Sequence, residues 1–474
     1  MSGKSGVGDR GARACAVLGS WTAVNSRRRK KRAMSDKSRK RRILGLVFSA
    51  TIIISLLAAC AGGNPSAQPS PQPSSQPSTN TKASEPSKPA ESPKPSASSP
   101  QPSASAASKE PLKIGVILTT SGPMGGIGSK QALGFNMAVE EINAAGGIIG
   151  RKIELVERDD GGDPTKARTA AQEFSEKLGI TLIVGPTLSS PALAMMPYLT
   201  EQKVFMIGSH GADAANDPKK YPYAFTGTPW ATYQSAIVAK YAVEILKAKK
   251  IGILADNSAY GNSAVAGYQE HLKTRGVSPV AVEQFSQGAQ DMTAQLTNLR
   301  KAGTEAILAG TLGADSVRVI KNLASMGWEV PYLGSSDMAT TVVVEGAGVE
   351  NMKQVYGYNQ ERISFSDKRP TPAKTKEFAG KLAKKLNQSP LKESVLQPSL
   401  YYDLGYILKW AVEKSQSTEG SKVAAALETM KEYDGAHGVF TFTKDNHSGL
   451  DLDDLVMVKA ANQKEGVFEM APGY

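Results

Sequence analysis

Two stretches of this chain set hydroxyls and glycines immediately ahead of a helix start, which is where a small anion can be held. The first is Thr119-Thr120-Ser121-Gly122-Pro123 with Gly125, Gly126 and Gly128 behind it, and the second is Gly185-Pro186-Thr187-Leu188-Ser189-Ser190 running into Pro191. Free backbone N–H groups at a helix start, with serine hydroxyls beside them, suit a carboxylate, and the helix dipole alone adds about 0.3–2 kcal/mol. Thr120, Ser121, Gly122, Leu188, Ser189 and Ser190 are therefore candidate ligand contacts. Ser190 reads equally well as an N-cap, whereas Ser189, one position outside the expected helix, is the better contact.

Cys60 carries chemistry of another kind. It ends Leu57-Ala58-Ala59-Cys60 after a 17-residue apolar run at 43–59 and a basic stretch containing Lys37, Arg39, Lys40, Arg41 and Arg42. Basic, apolar and small-residue segments in that order form an export signal, and the cysteine thiol at the cleavage point is the atom a diacylglycerol thioether would occupy. The alternative is a single-spanning anchor ending at Cys60, for which 17 residues is at the lower limit. Either reading exports the chain beyond residue 60. The segment 1–33 precedes a second methionine at Met34, so the start lies at Met1 or Met34.

Net charge agrees with export. The chain is +12, but residues 1–42 hold 14 of its 56 basic residues and two of its 44 acidic ones, so the remainder is neutral. The basic block is topogenic, holding the amino end on the cytoplasmic side, and no nucleic-acid partner is expected. Cys15 and Cys60 are the only cysteines, so processing at Cys60 excludes a disulfide framework. Residues 60–110 are almost wholly Pro, Ser, Ala, Gln, Lys and Glu with no large apolar side chain, the composition of a disordered, partly polyproline tether.

From 111 onward, short apolar strands alternate with amphipathic helices. Strands are expected at 113–118, 152–157, 180–184, 204–207, 251–255, 305–309 and 331–333, with helices between them, including one over 131–143 and others opened by Asp163-Pro164 and Ser190-Pro191. That alternation predicts an α/β fold of parallel sheets covered by helices, and 364 residues exceed one comfortable core, so two doubly wound lobes are expected. Ligands of such sheets bind beyond the carboxyl ends of the strands, where the two serine-bearing loops lie.

Several longer motifs are more specific than periodicity requires: KIGVILTTSGPMGGIG, AVEEINAAGGIIGRKIELVERDDGGDP, IVGPTLSSPALAMMP, DNSAYGNS and GAHGVFTFTKDNHSGLD. In these the chain resembles the type I periplasmic binding proteins that serve branched-chain amino acid ABC importers, over nearly all of 111–474. The resemblance implies two lobes joined by three crossovers and closing on a small ligand. Lobe one would comprise 112–229 and 360–442, and lobe two 230–359 and 443–474, after a signal over 1–59. It implies that Ser189 holds a ligand carboxylate and that Tyr260 enters the cleft from the second lobe. It also implies a monomer, ABC permease subunits as partners, no cofactor or metal, and lipid anchoring through Cys60 on the extracytoplasmic face.

Departures from the family pattern leave the ligand open. His210 and Gly211 stand in a loop where amino-acid binders usually carry small residues and a threonine. His210 would donate to a second carboxylate, meet an aromatic acid or amide, or be an exposed loop residue without a role. Thr311 would line the cleft beside Leu312. The acid that pairs with a ligand ammonium falls at Ser336 by straight counting, with Asp337 one place on. A buried ammonium without a carboxylate costs several kcal/mol, so an amino-acid site needs Asp337 in the cleft, and otherwise the ligand is an amide or aromatic acid. Trp230 is expected to pack at the hinge. No HExxH, GxSxG, CxxC or Walker loop is present, so catalysis is not expected. A sensing module reporting to a membrane receptor remains the alternative to import.

Overall fold

The computed structural model describes residues 110–474. The signal ending at Cys60 and the Pro/Ser-rich tether lie outside the described residues. Five strands, β1 (Leu112–Leu118), β2 (Ile153–Asp159), β3 (Leu182–Val184), β4 (Phe205–Gly208) and β5 (Ala224–Thr226), form a parallel sheet in the order β2-β1-β3-β4-β5. The apolar runs of β1, β3, β4 and β5 reflect burial on both faces, whereas β2, at the sheet edge, keeps Glu154, Glu157, Arg158 and Asp159 exposed. In β1, Leu112, Ile114, Val116 and Leu118 join one core with Phe135 and Phe205, while Ile117 faces the other core with Phe174 and Ile183.

The second sheet contains β6 (Ile251–Asp256), β7 (Ala281–Phe285), β8 (Ala306–Gly310), β9 (Tyr332–Gly334), β10 (Val355–Gln360), β11 (Ser364–Phe365), β14 (Leu455–Lys464) and β15 (Val467–Met470). Their order is β11-β15-β14-β10-β9-β8-β6-β7, and β12 (Tyr433–Asp434) with β13 (Val439–Phe440) makes a separate small ladder. The fold is α/β with two lobes, each built on a mainly parallel sheet. One part departs from the parallel expectation: β14 runs antiparallel to both β10 and β15. The reversal from β14 into β15 is local. Glu465 and Gly466, both at positive φ (50° and 83°), form the two-residue turn that joins β14 to β15, and so short a loop can only reverse the chain. Ser364 and Phe365, in the segment assigned by sequence to lobe one, hydrogen-bond into this second sheet.

The chain leaves the first sheet after β5 and returns after the second sheet's β10 and β11. Helices Ala373–Leu386, Leu396–Ser415 and Gly420–Leu427 then contribute to the core of the first sheet. Helix Leu396–Ser415 lies against Gly125–Ala144 so closely that a Cβ on Gly134 would sit 2.0 Å from the Pro398 carbonyl oxygen. Helix Gly125–Ala144 also starts earlier than the expected 131–143. Its first turn is pressed onto the end of β1, where a Cβ on Gly128 would lie 1.9 Å from the Thr119 carbonyl oxygen. Asp163 caps the helix Pro164–Gln172 by accepting from Thr165 N and Lys166 N at 2.7 and 3.2 Å. At the first crossover Trp230 is buried and its indole N–H donates to Asn446 Oδ1 at 3.2 Å, tying the outgoing strand to the returning one.

Candidate functional site

Strand order decides where a cleft can open. β2 and β3 flank β1 on opposite sides, and β7 and β8 likewise flank β6, so the connections after these strands diverge and leave a crevice at each sheet's carboxyl edge. The two crevices face one void of about 590 Å³, counting the part open to solvent. Lobe one supplies Thr187, Leu188 and Ser189 after β3 and Ser209 and Gly211 after β4, and the other lobe supplies Tyr260, Leu312, Ser336 and Asp337 after β6, β8 and β9. Ile127, Leu188, Leu312, Leu396 and Leu400 make part of the wall apolar.

Ser189 is the first residue of helix Ser189–Glu201, and Leu188 before it is extended (φ −120°, ψ 155°) and offers no side-chain cap. Ser189 Oγ accepts from Gly211 N at 3.2 Å and Ala212 N at 3.1 Å. A hydroxyl has one hydrogen and two lone pairs. With both lone pairs engaged by amides, the Ser189 hydrogen is left to donate into the void, beside an uncapped helix start. That end of the cavity is built for an anion.

Asp337 lies in the single turn Ser336–Ala339 behind β9 and is 2% exposed. Its Oδ2 accepts from Gly313 N, whereas Oδ1 has no hydrogen-bond partner. Burial raises the carboxyl to about 6, against the pull of the Gly313 amide. A buried carboxylate with a free oxygen on a cavity wall matches a cation, because an unpaired buried charge is costly. Ser336 is on the wall as well, its hydroxyl donating to the Tyr358 phenol oxygen at 3.4 Å.

The lobes meet across the void. Ala259 N donates to Ser190 Oγ at 3.1 Å, Asp213 N to Ser263 Oγ at 3.2 Å, and Ala314 N to Pro123 O at 3.3 Å. Leu312 packs on Met124, Ile127 and Leu188 at the same seam. Tyr260 is held inside by donating to Gln234 Oε1 at 2.9 Å, and burial pushes its phenol well up, so it stays neutral.

Leu188, Ser189, Gly211, Tyr260 and Asp337 are thus brought together, and the remaining candidates are not on this wall. Thr120, Ser121 and Gly122 form an exposed loop whose Thr120 and Ser121 amides donate to Asp159 Oδ1 at 2.9 and 3.3 Å. Ser190 is not an N-cap: the helix already begins at Ser189, and its hydroxyl bridges the lobes instead. His210 is not an exposed loop residue. It is wholly buried beside Trp230, ring centroids 6.2 Å apart, with neither ring nitrogen bonded, and burial lowers it to about 3. Thr311 turns inward to Ser316 Oγ and Tyr332 OH at 2.9 and 2.8 Å.

Sequence reasoning missed Gln234, Tyr358, Gln360, Gln397 and His437, all on the wall. Tyr358 and Gln360 share one face of β10, whose aromatic run Val355-Tyr356-Gly357-Tyr358 was the available strand signal. His437 sits in the GAHGVF segment. The Asp403 carboxylate holds that segment by accepting from Ala436 N and His437 N at 2.9 and 2.7 Å.

Residues 111–463 match the family model described as periplasmic binding protein. A Leu/Ile/Val-binding protein homologue of Brucella melitensis is 27% identical over 345 residues, which is 72% of this chain and 89% of that one. A type 1 periplasmic binding protein from Bordetella pertussis Tohama I has a TM-score of 0.68 at 27% identity, over 76% of this chain and 100% of its own. The substrate binding protein of a branched-chain amino acid transporter from Streptococcus pneumoniae, solved in complex with isoleucine, has a TM-score of 0.66 at 25% identity, over 76% and 99% of the two chains.

Proposed function

Since this chain belongs to the periplasmic binding protein family, whose members bind solutes rather than transform them, we propose that it captures an α-amino acid, branched-chain or closely related, and hands it to the permease of an ABC importer. The observation that carries this reading is Asp337, a buried carboxylate with a free Oδ1 in the same cavity as the Ser189 hydroxyl. Ser189 and the helix start would hold the ligand carboxylate, Asp337 its ammonium, and Leu188, Leu312 and Leu396 its aliphatic part, with Gly211 and Tyr260 closing the wall. The Leu/Ile/Val-binding name of the Brucella relative and the isoleucine in the Streptococcus complex support the same ligand class. Capture works by differential affinity: a ligand that touches both lobes stabilises the closed arrangement over an open one, and the closed form is what a permease would recognise. Thr120, Ser121, Gly122, Ser190, His210 and Thr311 then act behind or beside the cavity wall.

Titration with leucine, isoleucine and valine at two pH values tests the reading. Asp337 titrates at about 6 in the empty fold, above the 3.8 of an unperturbed aspartate, so the empty protein holds a proton there below pH 6. Its burial makes the empty fold lose stability as pH rises from about 4 to 6, and an ammonium restores that stability by pairing with the charge. Affinity at pH 5 should accordingly be roughly tenfold weaker than at pH 7.5. Affinity that rises on acidification would contradict the assignment.

The carrier would stand outside the cytoplasm, anchored by lipid on Cys60 through the Pro/Ser tether, as the residues 37–60 support. Metabolic palmitate labelling should mark the wild type and miss Cys60→Ala; label retained by the variant contradicts lipidation at that residue.

A further inference from the structure

Two acceptors of the cavity are used neither by a ligand carboxylate nor by the ammonium site at Asp337. Gln360 Oε1 and His437 Nε2 both lie in side chains at most 4% exposed, both residues line the void, and neither atom has a hydrogen-bond partner. The role of the imidazole is set by its neighbours. With the Ser399 hydrogen donated to Leu396 O at 3.3 Å, the 3.0 Å contact between Ser399 Oγ and His437 Nδ1 is donated by the ring in the matching tautomer. In the neutral ring Nε2 is then a lone pair. Burial, opposed by a backbone hydrogen bond at Leu396, lowers His437 to about 3, which keeps the ring neutral at physiological pH.

Gln360 and Asp337 open on different side voids. Gln360 also borders a second void walled by Arg362, Arg369 and Asp454, whereas Asp337 borders a third one walled by Gly126, Lys130 and Glu393, and those two voids have no wall residue in common. Among the described residues, Asp337 is moreover the only carboxylate on the main cavity wall, so a second cationic group would find no counter-charge at Gln360 and His437. A neutral donor fits.

We propose that Gln360 and His437 form a specificity subsite that accepts a hydrogen bond from the ligand's side chain, so that the preferred ligands carry a hydroxyl or carboxamide there. This rests on the amino-acid reading above and refines it: the wall that carries Leu396 and Leu400 also carries these two unpartnered acceptors, so a purely apolar side chain would leave them unpaired. A site built to receive a donor discriminates strongly against an isostere lacking one, because its own buried atoms stay unpaired.

Isosteric pairs test this on the wild type. Isothermal titration calorimetry should give asparagine at least about tenfold tighter binding than leucine, or threonine than valine by the same margin. Gln360→Leu and His437→Phe should each shrink that ratio, mainly by improving leucine or valine binding. Equal affinities within both pairs overturn the subsite and leave the amino-acid reading standing. Ratios unchanged in both variants, with folding verified by melting curves, also overturn it. Absence of binding by all four amino acids overturns the amino-acid reading, and the subsite with it.

Discussion

Asp337→Asn is expected to weaken α-amino acid binding by about a hundredfold or more, because an ammonium left in the closed cavity without a carboxylate costs on the order of 3 kcal/mol or above. The same substitution should not harm the empty protein at neutral pH. A carboxyl raised from 3.8 to about 6 by burial implies that its charge destabilises the empty fold at pH 7.5, by roughly 3 kcal/mol. Asparagine keeps an oxygen to accept from Gly313 N without carrying that charge. Calorimetric titration with leucine and urea denaturation of the empty variant check both halves. A variant that is less stable at pH 7.5 yet still binds leucine would show that Asp337 is a structural acid.

Ser189→Ala should cost roughly 1.5–3 kcal/mol of binding, a loss of about ten- to a hundredfold, by removing a donor to a charged carboxylate. It also strips Gly211 N and Ala212 N of their acceptor, so a drop of about 1–3 kcal/mol in unfolding free energy is expected alongside. Calorimetric titration reads the first effect and urea denaturation of the empty variant the second; both losses should be the same at pH 5 and 7.5, because neither involves Asp337. Adding Tyr260→Ala should remove the remaining ligand-induced rise in melting temperature. An undiminished rise in the double variant contradicts the placement of ligand in this cavity.

The legibility of this chain tracks burial. Where a strand is covered on both faces over nearly all its length, as in β1, β3, β4, β6 and β8, a short and mostly apolar run is what the fold leaves behind, and all five were readable. β7 alternates between half-buried and exposed residues along 281–284 and so did not stand out, whereas β14 and β15, though Leu455–Val458 is buried, form a hairpin that breaks the alternation of strand and helix.

The site divides along a similar line. Leu188 and Ser189 belong to a strand–loop–helix step whose chemistry is written locally, so their place on the wall could be anticipated. Thr120 and Ser121 carry an equally suggestive local pattern, but the β1–β2 register sets Leu118 opposite Asp159, whose carboxylate then takes their amides. Burial opposes that arrangement, yet hydrogen bonds from Ser121, Gly161 and Thr120 draw the Asp159 carboxyl down to about 2. Such a capture depends on a partner about 40 positions away. Gln234, Gln360 and His437 reach the cavity only because two crossovers bring the lobes together, and nothing adjacent in sequence marks them. Asp337 was readable through chemistry instead, since a buried ammonium requires an acid.

Calorimetric titration of the wild type at pH 7.5 with L-leucine and with isocaproate, the same carbon skeleton without the amine, tests the central claim most directly. Pairing of the ligand ammonium with Asp337 predicts saturable binding of leucine and affinity for isocaproate at least about a hundredfold lower. Equal binding of the two would contradict it, leaving a cavity that recognises a carboxylate and an aliphatic chain alone.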